Sequence, residues 1–286
     1  MDLTEAIENI RHSIVQISVF AAGFSPELRQ RLGRPSLGNP LGTGFLVNQD
    51  GYVVTANHVI ESGNQFLGQM EAAEKKGMQV GFAYPNSEYM RGNFNTVDFE
   101  VAGRDSRHDL ALLKLRRNPF KGEVHSGIII AGQEIPIVFR AARLEPRRPK
   151  DGARVGISGY PLLETVLVTN SGHMASVWSF NIQESPIPGA PEGFRMPNLA
   201  DSYLADAQAN PGNSGGPVYL VDTAEVIGVC VGAKSVPILD QNGSPATVGE
   251  ARLFYDSGLT LVVPSQYVLE LIERQTAGDV FDSVQA

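Results

Sequence analysis

The chain has 286 residues, with 23 Lys plus Arg against 31 Asp plus Glu and a formal net charge of −8. That balance excludes a general affinity for nucleic acid or an anionic membrane, both of which select a basic surface. The 30 Gly and 18 Pro favour many strands joined by tight turns. Cys230 is the only cysteine, so no intrachain disulfide can form.

Secreted domains of this size commonly carry several disulfides, so a single thiol favours a reducing compartment. The segment Met1–Arg11 is acidic at Asp2, Glu5 and Glu8 and has neither the basic start nor the apolar run of a signal peptide. No stretch approaches the roughly 18 apolar residues of a spanning helix. Together these features predict a soluble cytoplasmic protein.

Residues 3–12 place Leu3, Ala6, Ile7 and Ile10 at helical spacing. From Ser13 the period becomes two, with Ile14, Gln16, Ser18 and Phe20 on one face and Val15, Ile17 and Val19 on the other. Residues 21–40 read as a loop. Thr43–Asn48 and Tyr52–Thr55 flank Asp50-Gly51, a hairpin signal. Met78–Tyr84, Val97–Ala102 and Leu110–Leu115 complete a first set of six strands and suggest an antiparallel barrel.

Residues 121–151, with a short apolar run at Ile128–Ala131 and a basic stretch from Arg140 to Lys150, read as a solvated connection between two domains. Strand patterns resume at Arg154–Ser158, Thr165–Thr169, His173–Phe180, Tyr203–Ala207, Pro217–Val221, Val226–Ala233 and Gly258–Val263, with a long loop at 183–200. Ser265 can cap a terminal helix that buries Val268, Leu269, Leu271 and Ile272. The organisation predicted is a barrel over 1–120, a connection over 121–151, a second barrel over 152–264 and a helix and tail over 265–286.

Asn210-Pro211-Gly212-Asn213-Ser214-Gly215-Gly216-Pro217 sets a serine on a glycine-rich turn. Such a turn can expose the hydroxyl and converge backbone N–H groups on a developing oxyanion. Serine in a Gly-rich loop is common, however, and a hydroxyl needs a base within reach and a group that orients the base. Thr55-Ala56-Asn57-His58-Val59 supplies an imidazole after a strand, and His108-Asp109-Leu110 a carboxylate just before one. Asp105 and Asp98 compete with Asp109 for the acid role. His108 is set aside because neighbouring strand side chains face opposite ways.

These segments resemble the chymotrypsin-like serine protease superfamily, and most closely bacterial HtrA/Deg-type protease domains. Gly42-Thr43-Gly44-Phe45 and Thr55–Val59 are similar to that group's G-S/T-G-F and T-x-x-H-V segments. His108–Leu115 is similar to its D-L-A-x-L-K motif, Asp206–Pro217 to D-A-x-x-N-P-G-N-S-G-G-P, and Gly258–Ser265 to its closing strand. The resemblance implies an all-β fold of two perpendicular six-stranded antiparallel barrels with short terminal helices. It also implies a triad of His58, Asp109 and Ser214 in the cleft, and an oxyanion hole from the N–H groups of Gly212 and Ser214. The substrate pocket is expected at Gln208, Val231, Gly232 and Ala233, with Asp256 and Lys234 near its walls. It implies endopeptidase action on proteins or peptides through an acyl-enzyme, after small or aliphatic residues, without metal or cofactor.

Two departures carry expectations of their own. Asn213 stands where secreted relatives have the Asp that pairs with a newly cut N-terminus, so activation by N-terminal processing is not expected. The sequence also ends soon after the terminal helix, so an on-chain PDZ sensor is not expected. His12, His125 and His173 lack ligand spacing, Cys230 reads as a buried thiol, and Trp178 reads as core. Two other classes stay open: a silent pseudoprotease that binds peptides, and a serine esterase of another fold, which the lack of a strand–Gly-x-Ser-x-Gly–helix segment disfavours.

Overall fold

The structure, a computed structural model, describes residues 1–21, 39–69, 75–83, 94–124, 127–130, 133–136, 138–164, 166–180, 201–249 and 251–284. The predicted loop at 183–200, nearly all of that at 21–40, His125 and the side chain of Trp178 lie outside the described residues.

Helix α1 (Leu3–Ile10) opens on a capping box in which the Asp2 and Glu5 carboxylates each accept the other residue's backbone N–H. Strands β1 (Ile14–Ala21), β2 (Asn39–Leu46), β3 (Tyr52–Ala56), β4 (Lys75–Ala83), β5 (Phe94–Asp105) and β6 (Leu110–Leu115) close a barrel in the order β1-β2-β3-β6-β5-β4. A hairpin of β7 (Gly127–Ile130) and β8 (Gln133–Pro136) follows. The second barrel uses β9 (Arg154–Gly159), β10 (Val168–Phe180), β11 (Ser202–Ala205), β12 (Pro217–Leu220), β13 (Val226–Pro237) and β16 (Phe254–Pro264). Its order is β10-β11-β16-β13-β12-β9, and a small hairpin of β14 (Thr247–Val248) and β15 (Ala251–Arg252) sits between β13 and β16. Helix α2 (Asn57–Gln69) follows β3, and α3 (Ser265–Val284) follows β16. All named pairings are antiparallel, as expected of an all-β pair of six-stranded barrels.

Three local expectations need correction. No helix was predicted after His58, yet α2 runs thirteen residues and buries Asn57, Val59, Ile60 and Gly63. The two segments Thr165–Thr169 and His173–Phe180 give way to the single strand β10. Within β1 the polar Gln16 and Ser18 are buried, with Gln16 donating to the Glu164 carbonyl at 3.2 Å and Ser18 to Gln16 at 3.0 Å. Ser265 does not spend its hydroxyl on its own helix but donates to the Val226 carbonyl at 2.6 Å. The basic connection is largely neutralised, with Arg143 paired to Glu225, Arg147 to Glu145 and Arg148 to Asp201.

Candidate active site

Ser214 lies in the turn that leads into β12, and its surroundings explain the glycines. Gly212 and Gly215 take φ values of +103° and +85°, a region that L side chains avoid. A side chain on Gly215 would also overlap the Thr43 carbonyl and the Thr55 hydroxyl. The Ser214 carbonyl accepts from Thr43 N–H at 2.9 Å, and Gly215 N–H donates to the Cys230 carbonyl at 2.7 Å. The serine turn is therefore pressed against β2 and the end of β3, two residues from His58.

Two carbonyls orient the peptides on either side of Gly212. Pro211 accepts from Leu162 N–H at 2.7 Å, and Gly212 accepts from the Thr43 hydroxyl at 2.7 Å. In a trans peptide the N–H points opposite to the C=O, so Gly212 N–H faces away from Leu162. Among the described residues neither Gly212 N–H nor Ser214 N–H has an acceptor.

His58 sits in the first turn of α2, and Asp109 is the residue before β6. Asp109 adopts φ 53°, a left-handed conformation that Asp tolerates better than most residues. There its carboxylate meets His58 twice: Oδ2 at 2.5 Å from Nδ1, and Oδ1 accepting the His58 backbone N–H at 2.8 Å. The Asp109 carbonyl accepts Asn57 N–H at 2.8 Å. Asn57 is itself buried and held at both ends, receiving from Arg104 and donating to Glu61, each at 2.7 Å. Asp109 has a side chain 5% exposed while that of His58 is 39% exposed, so the acid is shielded and the base is open to a substrate. No hydrogen bond joins Ser214 to His58. Such bonds are often long before substrate binds.

The competing acids are committed elsewhere. Asp105 receives His108 Nδ1 at 3.0 Å and Arg274 at 2.9 Å. Burial alone would raise its pKa, but these two partners outweigh that and hold the carboxyl below its ordinary value. Exposed Asp98 accepts from Gln79 at 2.8 Å. His108 bonds Asp105, not the serine turn.

Of the pocket candidates, Val231 is buried on β13, Gly232 and Ala233 are half-exposed beside it, and the Gln208 side chain is exposed. Asp256 and Lys234 are exposed, and the Asp256 carboxylate accepts Gly258 N–H at 2.9 Å. Cys230 is fully buried, and burial pushes its thiol up to about 12. Asn213 is also buried, with no hydrogen-bond partner for its side-chain amide among the described residues. No cluster of three or more metal-ligating side chains occurs among the described residues. Sequence reasoning missed Arg104 and Leu162 and noted Thr43 and Asn57 only as parts of motifs, because their roles depend on contacts between distant segments.

Comparison with known proteins agrees with this geometry at the level of the family. The family model of the trypsin-like peptidase domain matches residues 42–229. A probable periplasmic serine endoprotease, DegP-like, of Pseudomonas fulva is 26% identical over 203 residues, covering 69% of this chain and 30% of the relative. The same-named protein of Ectopseudomonas mendocina is 27% identical over 251 residues, covering 86% of this chain and 37% of the relative. The chain thus spans about a third of the length of these curated relatives. A crystal structure of an inactive form of Rv3671c from M. tuberculosis H37Rv shares the fold, with a TM-score of 0.54 and 17% identity, over 95% of this chain and 90% of that one.

The relatives overturn the cytoplasmic expectation, since they are named periplasmic. A single cysteine shows only that disulfides are absent, and two barrels with extensive cores can be stable without them. No described helix is long and apolar enough to cross a membrane. With its family model matched over well more than half its length and its two barrels in the matching fold, the chain belongs to the trypsin-like peptidase domain family.

Proposed function

We propose that this domain is a serine endopeptidase acting through Ser214, His58 and Asp109. The observation that carries the reading is the shielded Asp109 carboxylate at 2.5 Å from His58 Nδ1, beside a serine turn with two N–H groups that lack acceptors. Asp109 holds the Nδ1 proton, which leaves Nε2 of His58 as the base. Ser214 Oγ attacks the scissile carbonyl while His58 takes its proton, and the carbonyl oxygen becomes an oxyanion held by Gly212 and Ser214 N–H. Collapse breaks the C–N bond, the leaving amine takes the proton from His58, and an acyl-enzyme remains. Water, deprotonated by His58, then releases the acid and restores the serine.

Substrates in this reading are proteins or peptides, in keeping with relatives named endoproteases. Val231, Gly232, Ala233 and Gln208 bring no carboxylate, and the Asp256 carboxylate is engaged by the turn at Gly258. A Lys or Arg side chain buried there would lose its hydration without a partner, so small and aliphatic residues are preferred before the cut.

Proteolysis of a peptide library by wild type and three variants tests the reading. Ser214→Ala and His58→Ala should each lower kcat on the order of 10⁴- to 10⁶-fold, and Asp109→Asn about 10⁴-fold by favouring the wrong tautomer. Near-normal turnover by Ser214→Ala would remove the nucleophile assignment. Predominant cleavage after Lys or Arg would remove the apolar pocket.

A further inference from the structure

We infer that Thr43 is a positioning residue for the oxyanion hole, acting through the two peptides that flank Gly212; this rests on the reading of Ser214 as nucleophile. Thr43 is completely buried at the point where β2 meets the serine turn and the residues after β9. Its one hydroxyl proton must go to the Gly212 carbonyl at 2.7 Å, because its other neighbour, Tyr160 N–H at 3.0 Å, can only donate. Its backbone is equally committed: Thr43 N–H donates to the Ser214 carbonyl at 2.9 Å, and its carbonyl accepts from the Thr55 hydroxyl at 2.6 Å. One side chain therefore touches the carbonyl of Gly212, the segment after β9 and, through its backbone, the nucleophile.

The consequence for chemistry follows from peptide planarity. Each N–H of the oxyanion hole is aimed by rotating a whole peptide plane, and each plane can be held by its carbonyl. The Gly212–Asn213 plane carries no donor of the hole; held at its carbonyl by Thr43 and at its N–H by the Asn210 carbonyl at 2.9 Å, it fixes Gly212 from the other side. The Pro211–Gly212 plane, which carries the Gly212 N–H, is held at its carbonyl by Leu162 N–H at 2.7 Å. Leu162 can present that N–H because it takes φ 53° and ψ 34°, a strained conformation for leucine, on an exposed side chain with no packing role. Tyr160, which leads into Leu162, is the residue whose N–H Thr43 accepts. Thr43 thus couples both holders, and the space it occupies is tight: a Cβ on Gly159 would come within 2.7 Å of its hydroxyl oxygen. Removing the hydroxyl while keeping the shape would free the Gly212 carbonyl and strand Tyr160 N–H. The turn from Tyr160 to Leu162 that holds the Pro211 carbonyl would loosen, and a flip of the Pro211–Gly212 plane, which withdraws the Gly212 donor from the oxyanion, would then meet less resistance.

The test compares Thr43→Val, which keeps the shape, with Thr43→Ser, which keeps the hydroxyl. Loss of a whole oxyanion donor costs about 10²- to 10³-fold in kcat, so a misaimed donor should cost about tenfold to a hundredfold. Thr43→Val should therefore lower kcat by that factor with KM little changed, and weaken inhibition by a peptide aldehyde or boronate in the same proportion. Thr43→Ser should restore most of both. The aldehyde and boronate mimic the tetrahedral oxyanion, so their affinity, relative to KM for the matching peptide, reports the hole rather than general folding. Active-site titration normalises each preparation, and thermal unfolding of Thr43→Ala and Thr43→Val separates instability from misalignment. The inference is overturned if correctly folded Thr43→Val matches wild type, or if its kcat falls while relative inhibitor affinity stays unchanged. If wild type itself neither turns over nor reacts with a fluorophosphonate, the nucleophile reading fails first.

Discussion

Cys230 shows how the serine turn is built into the second barrel's sheet rather than laid over it. Its N–H donates to Gly216 at 2.9 Å and its carbonyl accepts from Gly215 at 2.7 Å, so β13 continues its ladder directly into the loop. The thiol beneath is sealed, and burial pushes it up to about 12. At pH 8 it is therefore protonated and out of reach. Iodoacetamide should leave the folded protein unmodified while alkylating it fully in denaturant, as read by mass spectrometry. Equal rates in the two states would show that β13 opens locally near Ser214. At this scale the sequence singled out His58, Asp109 and Ser214 from motif and residue chemistry, and the structure brings the Asp109 carboxylate to His58. It named Thr43 and Asn57 only within motifs and was silent on Leu162: the Thr43–Gly212 and Asn57–Arg104 contacts span 169 and 47 positions, and the conformation of Leu162 is set by the turn it sits in.

Among elements, the strands were legible from period-two patterning and the helices less so. Helix α2 carries no serine, threonine or aspartate cap of its own; the Asp109 carboxylate, 51 positions away, receives its first-turn N–H from His58. The two strand patterns that became β10 were separated at Gly172. That glycine is no terminator: it permits close approach of Asp206, whose carboxylate oxygen would lie 2.6 Å from an added Cβ. Helix α3 shows the opposite case: it was predicted from sequence and buries Val268 and Leu271 of the expected set, while residues outside that set add polar and aromatic docking. Tyr267 stacks on His108 with ring centroids 3.7 Å apart and donates to Asp201 at 2.7 Å, while Arg274 reaches Asp105. This clasp includes His108, the residue next to Asp109 in the chain. Asp105 has a folded pKa below its ordinary value, so it stabilises the fold above the unfolded carboxyl's pKa, and that contribution is lost as pH falls through the lower folded value. Asp105→Asn should thus lower the melting temperature at pH 7 and narrow the gap to wild type as the pH is taken below about 4. A gap that widens in acid would mean that Asp105 is stabilised in its protonated form.

At the scale of the molecule, each terminal helix crosses to the barrel it does not belong to in sequence. Helix α1 precedes the first barrel yet packs against β9 of the second, and the Met1 amino group donates to the Asp222 carbonyl at 3.1 Å. Helix α3 follows the second barrel yet packs against β5 and β6 of the first, with Leu271 buried there. The shared apolar core also ignores the division, since it joins Val54, Ala56 and Leu112 to Tyr160, Val229 and Val263. Between them lies the site, where Thr43 of the first barrel holds Gly212 and Ser214 of the second. Two barrels joined only by a connection would unfold in two steps, whereas barrels strapped in both directions should unfold as one. Denaturant titration followed by fluorescence of the single tryptophan, Trp178 in β10, should therefore coincide with hydrogen-exchange protection of β1–β6 read by mass spectrometry. Leu271→Ala should shift both curves together, by about 2–5 kcal/mol, because it opens a cavity between the strap and the first barrel. If the tryptophan curve stayed in place while protection of β5 and β6 fell, the helix would be a local contact of one barrel, and the site between the barrels would be held by the serine turn alone.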